Sequence, residues 1–125
     1  MSGILYGVGL GPGDPELMTV KSSRLISDAK VIAYPSLAGG ESFARSIAAD
    51  LISPQAEEIM MDVPMTVERA PAQAAYDIGA NSIAAALDRG DDVICLCEGD
   101  PFFYGSFMYL YARLAINYQV EVVPG

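Results

Sequence analysis

The stretch ILYGVGLGPGDPEL (residues 4–17) runs from an apolar segment through four alternating glycines into Asp-Pro. A second stretch, VICLCEGDPFFYG (93–105), follows the same order: an apolar run, Gly-Asp-Pro, then a helical pattern. Asp is a strong N-cap, because its carboxylate accepts free N–H groups of a first helical turn. Pro suits the first helical position, where its missing N–H had no partner anyway. Asp14-Pro15-Glu16 and Asp100-Pro101 therefore each read as a strand giving way to a helix, and capping alone accounts for both Asp side chains.

Outward from these two points the alternation continues. Five short apolar runs stand at 4–10, 30–35, 57–63, 91–97 and 119–125. The first, second and fourth are nearly continuous, as strands covered on both faces should be. The third and fifth are more polar and fit edge positions. Helical periodicity predicts four helices between them. One spans Pro15 to about Asp28, with Leu17, Val20, Leu25 and Ile26 inward. One spans about Glu41 to Leu51, with Phe43, Ile47 and Leu51 inward. A third spans Pro71 to Arg89 and stops at Gly90, and a fourth runs from Pro101 to about Tyr118. Strand–helix alternation implies an α/β fold with a parallel sheet.

Composition narrows the partners. The 125 residues are 52% hydrophobic with mean hydropathy +0.31, ample for a core. No apolar run approaches the ~20 residues that cross a bilayer. The N-terminus lacks the pattern of a signal peptide, so a cytoplasmic protein is the expectation. Sixteen acidic against seven basic residues give a net charge of −9, which repels nucleic acid and anionic membrane surfaces. There is no histidine, so imidazole can serve neither as base nor as ligand. Cys95 and Cys97 lie two apart on a strand, facing one way, and read as buried thiols rather than metal ligands.

The glycines ask for more than capping. Gly7, Gly9, Gly11 and Gly13 alternate through the first strand end, and Gly99 and Gly105 flank the second Asp-Pro. Glycine there lets a ligand approach the backbone, and open parallel sheets bind ligands outside their strands' carboxyl ends. A dinucleotide fits poorly. The G-x-G-x-x-G register from Gly7 puts Pro12 in the last place, and from Gly9 it puts Asp14 there. The second strand ends in Tyr34-Pro35, where an acidic ribose partner would be expected. A phosphate-cradling G-x-x-x-x-G-K-[ST] is absent. Glu98 and Asp100 suit a ligand of positive character better.

The segments GVGLGPGDPELMTVKSSRLISDAKVIAYP and CEGDPFFYGSFMYLYARL, with the terminal VEVVPG, resemble the tetrapyrrole (corrin/porphyrin) methyltransferases. Within that family VIAYPS and FYGSFMYLY look most like the precorrin-2 C(20)-methyltransferases of cobalamin synthesis or their cobalt-factor II counterparts. The resemblance implies a five-stranded parallel sheet of order 3-2-4-1-5 flanked by helices, with the two Gly-Asp-Pro loops side by side. It implies that residues 1–125 form an N-terminal domain whose C-terminal companion is absent from the chain, so that the chain alone is inactive. The implied cofactor is S-adenosylmethionine, released as S-adenosylhomocysteine. The implied substrate is a tetrapyrrole methylated at C-20, and the implied full-length assembly is a homodimer.

By the same resemblance, Pro12, Glu98, Gly99, Asp100, Phe103 and Tyr104 are expected to contact cofactor, and Gly11, Gly13, Tyr34, Pro35 and Ser36 substrate. Where related uroporphyrinogen methylases place an acidic residue, at the end of the second strand, this chain has Pro35, so no catalytic acid or base is assigned. Tyr104, Tyr109, Tyr111 and Tyr118 could line a macrocycle pocket, but aromatics at helical spacing are more often core. Lys21 and Arg24 could meet substrate carboxylates, but charged helix residues are more often simply solvated. Two other readings stay open. One is a non-catalytic nucleotide- or nicotinamide-binding module. The other is a structural domain in which Gly-Asp-Pro only caps helices.

Overall fold

A computed structural model describes residues 2–37, 42–63, 69–98 and 106–124. The strands are β1 (Leu5–Gly9), β2 (Val31–Leu37), β3 (Glu57–Val63), β4 (Val93–Cys97) and β5 (Val120–Val123). The helices are α1 (Val20–Asp28), α2 (Phe43–Ala48), α3 (Arg69–Asp88) and α4 (Ser106–Leu114), with single 3₁₀ turns at Pro15–Leu17 and Ala49–Leu51. The sheet is parallel, in the order β3-β2-β4-β1-β5. Polarity explains the order's ends: β3 exposes Glu57, Glu58 and Asp62, whereas all five residues of β4 are buried.

Residues alternate between two cores. Leu5, Ala33, Met61, Cys95 and Cys97 face Tyr76 and Ile83 of α3 and Phe107 and Leu110 of α4. Val8, Ile32, Tyr34, Ile94 and Leu96 face Ile26 of α1 and Ala44 and Ile47 of α2. Both cysteines are thus buried thiols on one face, not joined in a disulfide, as the two-residue spacing requires. Two glycines make room for this packing. A Cβ on Gly7 would lie 2.4 Å from the Phe107 ring, and one on Gly79 would lie 2.5 Å from Met61 Cγ. Gly7 is therefore a notch for α4 rather than an approach for a ligand. Helix α3 ends as expected: Gly90 has φ +94°, and Asp91 N–H donates to Ala86 O at 3.2 Å.

Helix starts depart from the periodicity. The Asp14-Pro15 cap is real, with Asp14 Oδ1 accepting from Glu16 N–H at 2.9 Å, but it starts only one 3₁₀ turn. Met18 and Thr19 are extended, and Thr19 re-caps the chain for α1. The interruption changes the helical phase. Ser22 and Ile26 point inward, while Leu17 and Val20, expected inside, are exposed. In α2 the inward residues are Ala44, Ile47 and Ala48, and Phe43 is exposed. The expected start of the fourth helix at Pro101 lies outside the described residues. Tyr109 stacks on Tyr76 at 5.1 Å, Tyr118 OH donates to Asp88 Oδ1 at 2.7 Å, and Tyr111 is exposed.

An ion-pair network ties α2 to the β2–β3 edge. Arg45 Nε donates to Glu58 Oε1, which also accepts from Tyr34 OH at 2.8 Å. The Arg45 guanidinium, opposed in part by burial and aided by Tyr34, holds the Glu58 carboxyl below its ordinary 4.5. A depressed carboxylate stabilises the fold above its ordinary value and ceases to do so as pH falls through the depressed one. Glu58→Gln should therefore cost about 0.5–1 kcal/mol at pH 7, the worth of a half-exposed pair, and almost nothing near pH 2. Urea denaturation of both forms at the two pH values checks this. An equal cost at both would remove the charge from the account.

Candidate functional site

The two glycine-bearing segments leave the sheet together. β1 and β4 are adjacent, aligned from Leu5↔Val93 to Gly9↔Cys97, and Leu10 N–H donates to Cys97 O at 3.0 Å. Beyond that point Gly11 has φ +74° and Gly13 has φ +122°, angles that side-chain-bearing residues rarely adopt. Buried Ser22 fixes the loop's root. Its hydroxyl donates to Gly9 O at 3.1 Å and accepts from Thr19 Oγ1 at 2.8 Å. Pro12 and Glu98 are exposed at this edge. Ser22 and Thr19 were missed in the sequence, where both read as ordinary helix residues. The T-x-x-S pattern directly ahead of an apolar-periodic run was the available signal.

The strand order places a switch point beside these loops. From β2 the chain moves outward to β3, and from β4 it moves the other way, to β5. Such a divergence opens a crevice at the strands' carboxyl ends. Here it has a local cause. β2 pairs with β3 throughout, Val31–Leu37, but with β4 only over Val31–Ala33. The next residue facing β4 would be Pro35, which has no N–H to donate. A cavity of about 100 Å³ lies where the strands part, lined by Pro35, Met61, Cys95, Cys97 and Phe107 and reaching Glu98. Its side chains are mostly apolar, with polar backbone between them and one carboxylate at the rim.

Of the expected site residues, Gly11, Pro12, Gly13, Pro35 and Glu98 share this edge. Ser36 is buried at it, in the last part of β2. Tyr34 differs: its ring is buried in the α1–α2 core and its hydroxyl is held by Glu58, so its side chain faces away from the cavity. Gly99, Asp100, Phe103 and Tyr104 lie outside the described residues. Among the described residues no cluster of His, Cys, Asp or Glu could hold a metal ion, and no helix is long and apolar enough to cross a membrane. Two larger hollows lie elsewhere. One of about 230 Å³ sits at the amino edge beside Tyr6, Lys30 and Asp92, and one of about 420 Å³ lies between α3 and α4. Neither adjoins a glycine-opened loop at the switch point.

A parallel sheet with a switch at β2/β4 and a glycine loop on its carboxyl edge defines an open, parallel-sheet α/β domain with a crevice at that edge. The chain belongs to the tetrapyrrole (corrin/porphyrin) methylases, whose family model matches residues 4–125. It is 42% identical over its full length to a precorrin-2 C(20)-methyltransferase of Sinorhizobium sp, and covers 56% of that protein. It is 30% identical, again over its full length, to a cobalt-precorrin-2 C(20)-methyltransferase of Salmonella typhimurium, covering 53% of it. It is 44% identical over 98% of its length to the cobalamin biosynthesis protein CobIJ of Mycobacterium tuberculosis, covering 26% of it. The chain thus spans about half the length of the first two relatives and a quarter of the third. Among solved structures, a uroporphyrin-III C-methyltransferase from Thermus thermophilus, complexed with S-adenosyl homocysteine, superposes with a TM-score of 0.64 at 30% identity. That match takes in 98% of this chain and 45% of the other.

Proposed function

We propose that this chain is the cofactor-holding part of an S-adenosylmethionine-dependent methyltransferase that acts on C-20 of precorrin-2 in cobalamin synthesis. The observation that carries the reading is the 42% identity to a precorrin-2 C(20)-methyltransferase across the entire chain. The lower identity, 30%, to the cobalt-precorrin-2 enzyme favours the metal-free substrate. The cofactor follows from the family and from a relative's complex with S-adenosyl homocysteine. In this reading Pro12, Glu98, Gly99, Asp100, Phe103 and Tyr104 hold the cofactor, largely through main chain. Gly11, Gly13, Pro35 and Ser36 border the substrate, and Tyr34 could join them only through its backbone.

The chemistry is within reach of such a site. A sulfonium methyl is already activated, and transfer to a nucleophilic carbon is an in-line displacement. The carbon's electron pair forms the new C–C bond while the S–C bond breaks onto sulfur, leaving S-adenosylhomocysteine with a neutral sulfur, and the methylated macrocycle, which takes up the positive charge, returns to neutral by releasing the proton of that carbon to solvent. The protein's part is to align donor and acceptor and to exclude water. Glu98 adds a negative charge suited to a sulfonium.

The competing nicotinamide-binding reading makes a different forecast. S-adenosylhomocysteine at saturating concentration should raise the chain's melting temperature, because a ligand that binds only the folded state stabilises it by mass action. NAD at the same concentration should leave it unchanged. A shift with NAD alone would replace the methyltransferase reading, and no shift with either would leave the Gly-Asp-Pro loops as helix caps.

A further inference from the structure

We propose that the tetrapyrrole rests on a shelf formed by Leu17, Val20 and Phe43, with Lys21 and Arg24 gripping its carboxylates. The shelf lies on the α1–α2 flank of the Gly11–Gly13 loop, across the sheet from the apolar cavity. The proposal rests on the methyltransferase reading above and adds to it the surface that takes the substrate.

Three observations support it. The first is exposure. Leu17 is 59% exposed, Val20 87% and Phe43 58%. Lone surface hydrophobes are ordinary, but a group at one functional edge marks a binding surface. Leu17 closes the 3₁₀ turn and Val20 and Phe43 open α1 and α2, which places all three toward the carboxyl edge of the sheet. The second is proximity to the loop. A Cβ on Gly13 would lie 3.6 Å from the Phe43 ring, and one on Gly11 would lie 3.1 Å from Leu17 O. The Phe43 ring therefore borders Gly13, and the backbone of Leu17 borders Gly11.

The third observation is charge. In a chain of net charge −9, basic groups are scarce, and three of the six whose side chains are described are neutralised. Arg45, Arg89 and Arg113 each pair with a carboxylate. Lys21 and Arg24 are exposed and in no ion pair among the described residues. Three apart on α1, they share a face. A tetrapyrrole is a broad apolar ring system rimmed with carboxylates, and an apolar shelf edged with two free cations complements it in both respects. Lys30 is equally unpaired but sits at the opposite edge, beside Asp28, Asp91 and Asp92. It serves as the control.

Uroporphyrin III, a stable fluorescent tetrapyrrole with eight carboxylates, is titrated into the chain and three variants: Lys21→Glu, Leu17→Ser/Phe43→Ser and Lys30→Glu. S-adenosylhomocysteine is titrated in parallel. Lys21→Glu is expected to weaken uroporphyrin binding about fivefold at low salt, less as salt is raised. The double serine variant is expected to weaken it about tenfold. Both should keep their affinity for S-adenosylhomocysteine, and Lys30→Glu should match the parent in both titrations. The altered side chains are exposed, so folding should persist, and the second ligand verifies it. If the parent binds both ligands and the shelf variants bind uroporphyrin as tightly as Lys30→Glu does, the shelf is wrong and the methyltransferase reading stands. Equal loss of both ligands in the shelf variants also overturns it. A parent chain that binds neither ligand overturns the functional reading and the shelf with it.

Discussion

Gly7→Ala is expected to destabilise the chain by about 3 kcal/mol, the upper part of the usual range for overpacking a core. The added methyl has nowhere to go. Gly7 lies in β1, held in register by Cys95 on one side and Val122 on the other, so the strand cannot slide. The methyl would sit 2.4 Å from Phe107 Cζ, and Phe107 is 1% exposed. The ring can retreat only if α4 moves off the sheet, and α4 also carries the buried residues Leu110 and Leu114. Urea denaturation measures the loss. Phe107→Leu in the Gly7→Ala background should recover part of it, since a smaller side chain vacates the contested volume. A loss below about 1 kcal/mol would show that α4 yields freely and that the notch is not what holds the helix in place.

The second large effect concerns turnover. The 125-residue chain alone is expected to bind S-adenosylhomocysteine yet form no methylated product above background. Its C(20)-methyltransferase relatives are nearly twice as long. The cavity is small, about 100 Å³, and the proposed shelf is open to solvent. Neither encloses a reacting pair. Proximity and orientation can contribute ~7–11 kcal/mol when both partners are firmly held, and a half-open site forfeits much of that. Mass spectrometry of a mixture of chain, S-adenosylmethionine and precorrin-2 reads the outcome directly. Turnover matching that of a full-length C(20)-methyltransferase would mean that these residues suffice for the chemistry.

Legibility of the sequence varied with the kind of signal. Strand burial was plain, because a strand covered on both faces must be apolar at every position, as VICLC is, and an edge tolerates EEIMMDV. Order 3-2-4-1-5 came from the family resemblance, since propensity carries no information on which strands pair. Helix faces were read wrongly where two capping signals competed. Asp14-Pro15 and Thr19 both cap, five residues apart, and periodicity counted from the first assigns Leu17 and Val20 to the core. Only the tertiary fold decides that the first cap ends after one turn. The glycines failed for a similar reason. A notch for Phe107 at Gly7 and a positive φ at Gly11 look alike in a sequence, and only the partner across the sheet separates them. Pro35 was noticed as a missing acid. That it also ends the β2–β4 ladder and so opens the cavity needed the register.

The sheet order has a consequence for the birth of the protein. β1 is synthesised first, yet its two neighbours are β4, made after more than half the chain, and β5, made last. Neither side of Leu5–Gly9 can be sealed until β4 has been made. The β2–α2–β3 unit, by contrast, pairs strands that are close in sequence and can form early. Closing long loops before contacts repay them slows folding, and exposed strand edges in the interval invite aggregation. The nascent chain therefore carries an apolar, glycine-rich first strand that has no partner until Val93–Cys97 emerge and keeps one open edge until Val120–Val123 follow, so a chaperone that shields this segment would act on a strand the topology obliges to wait.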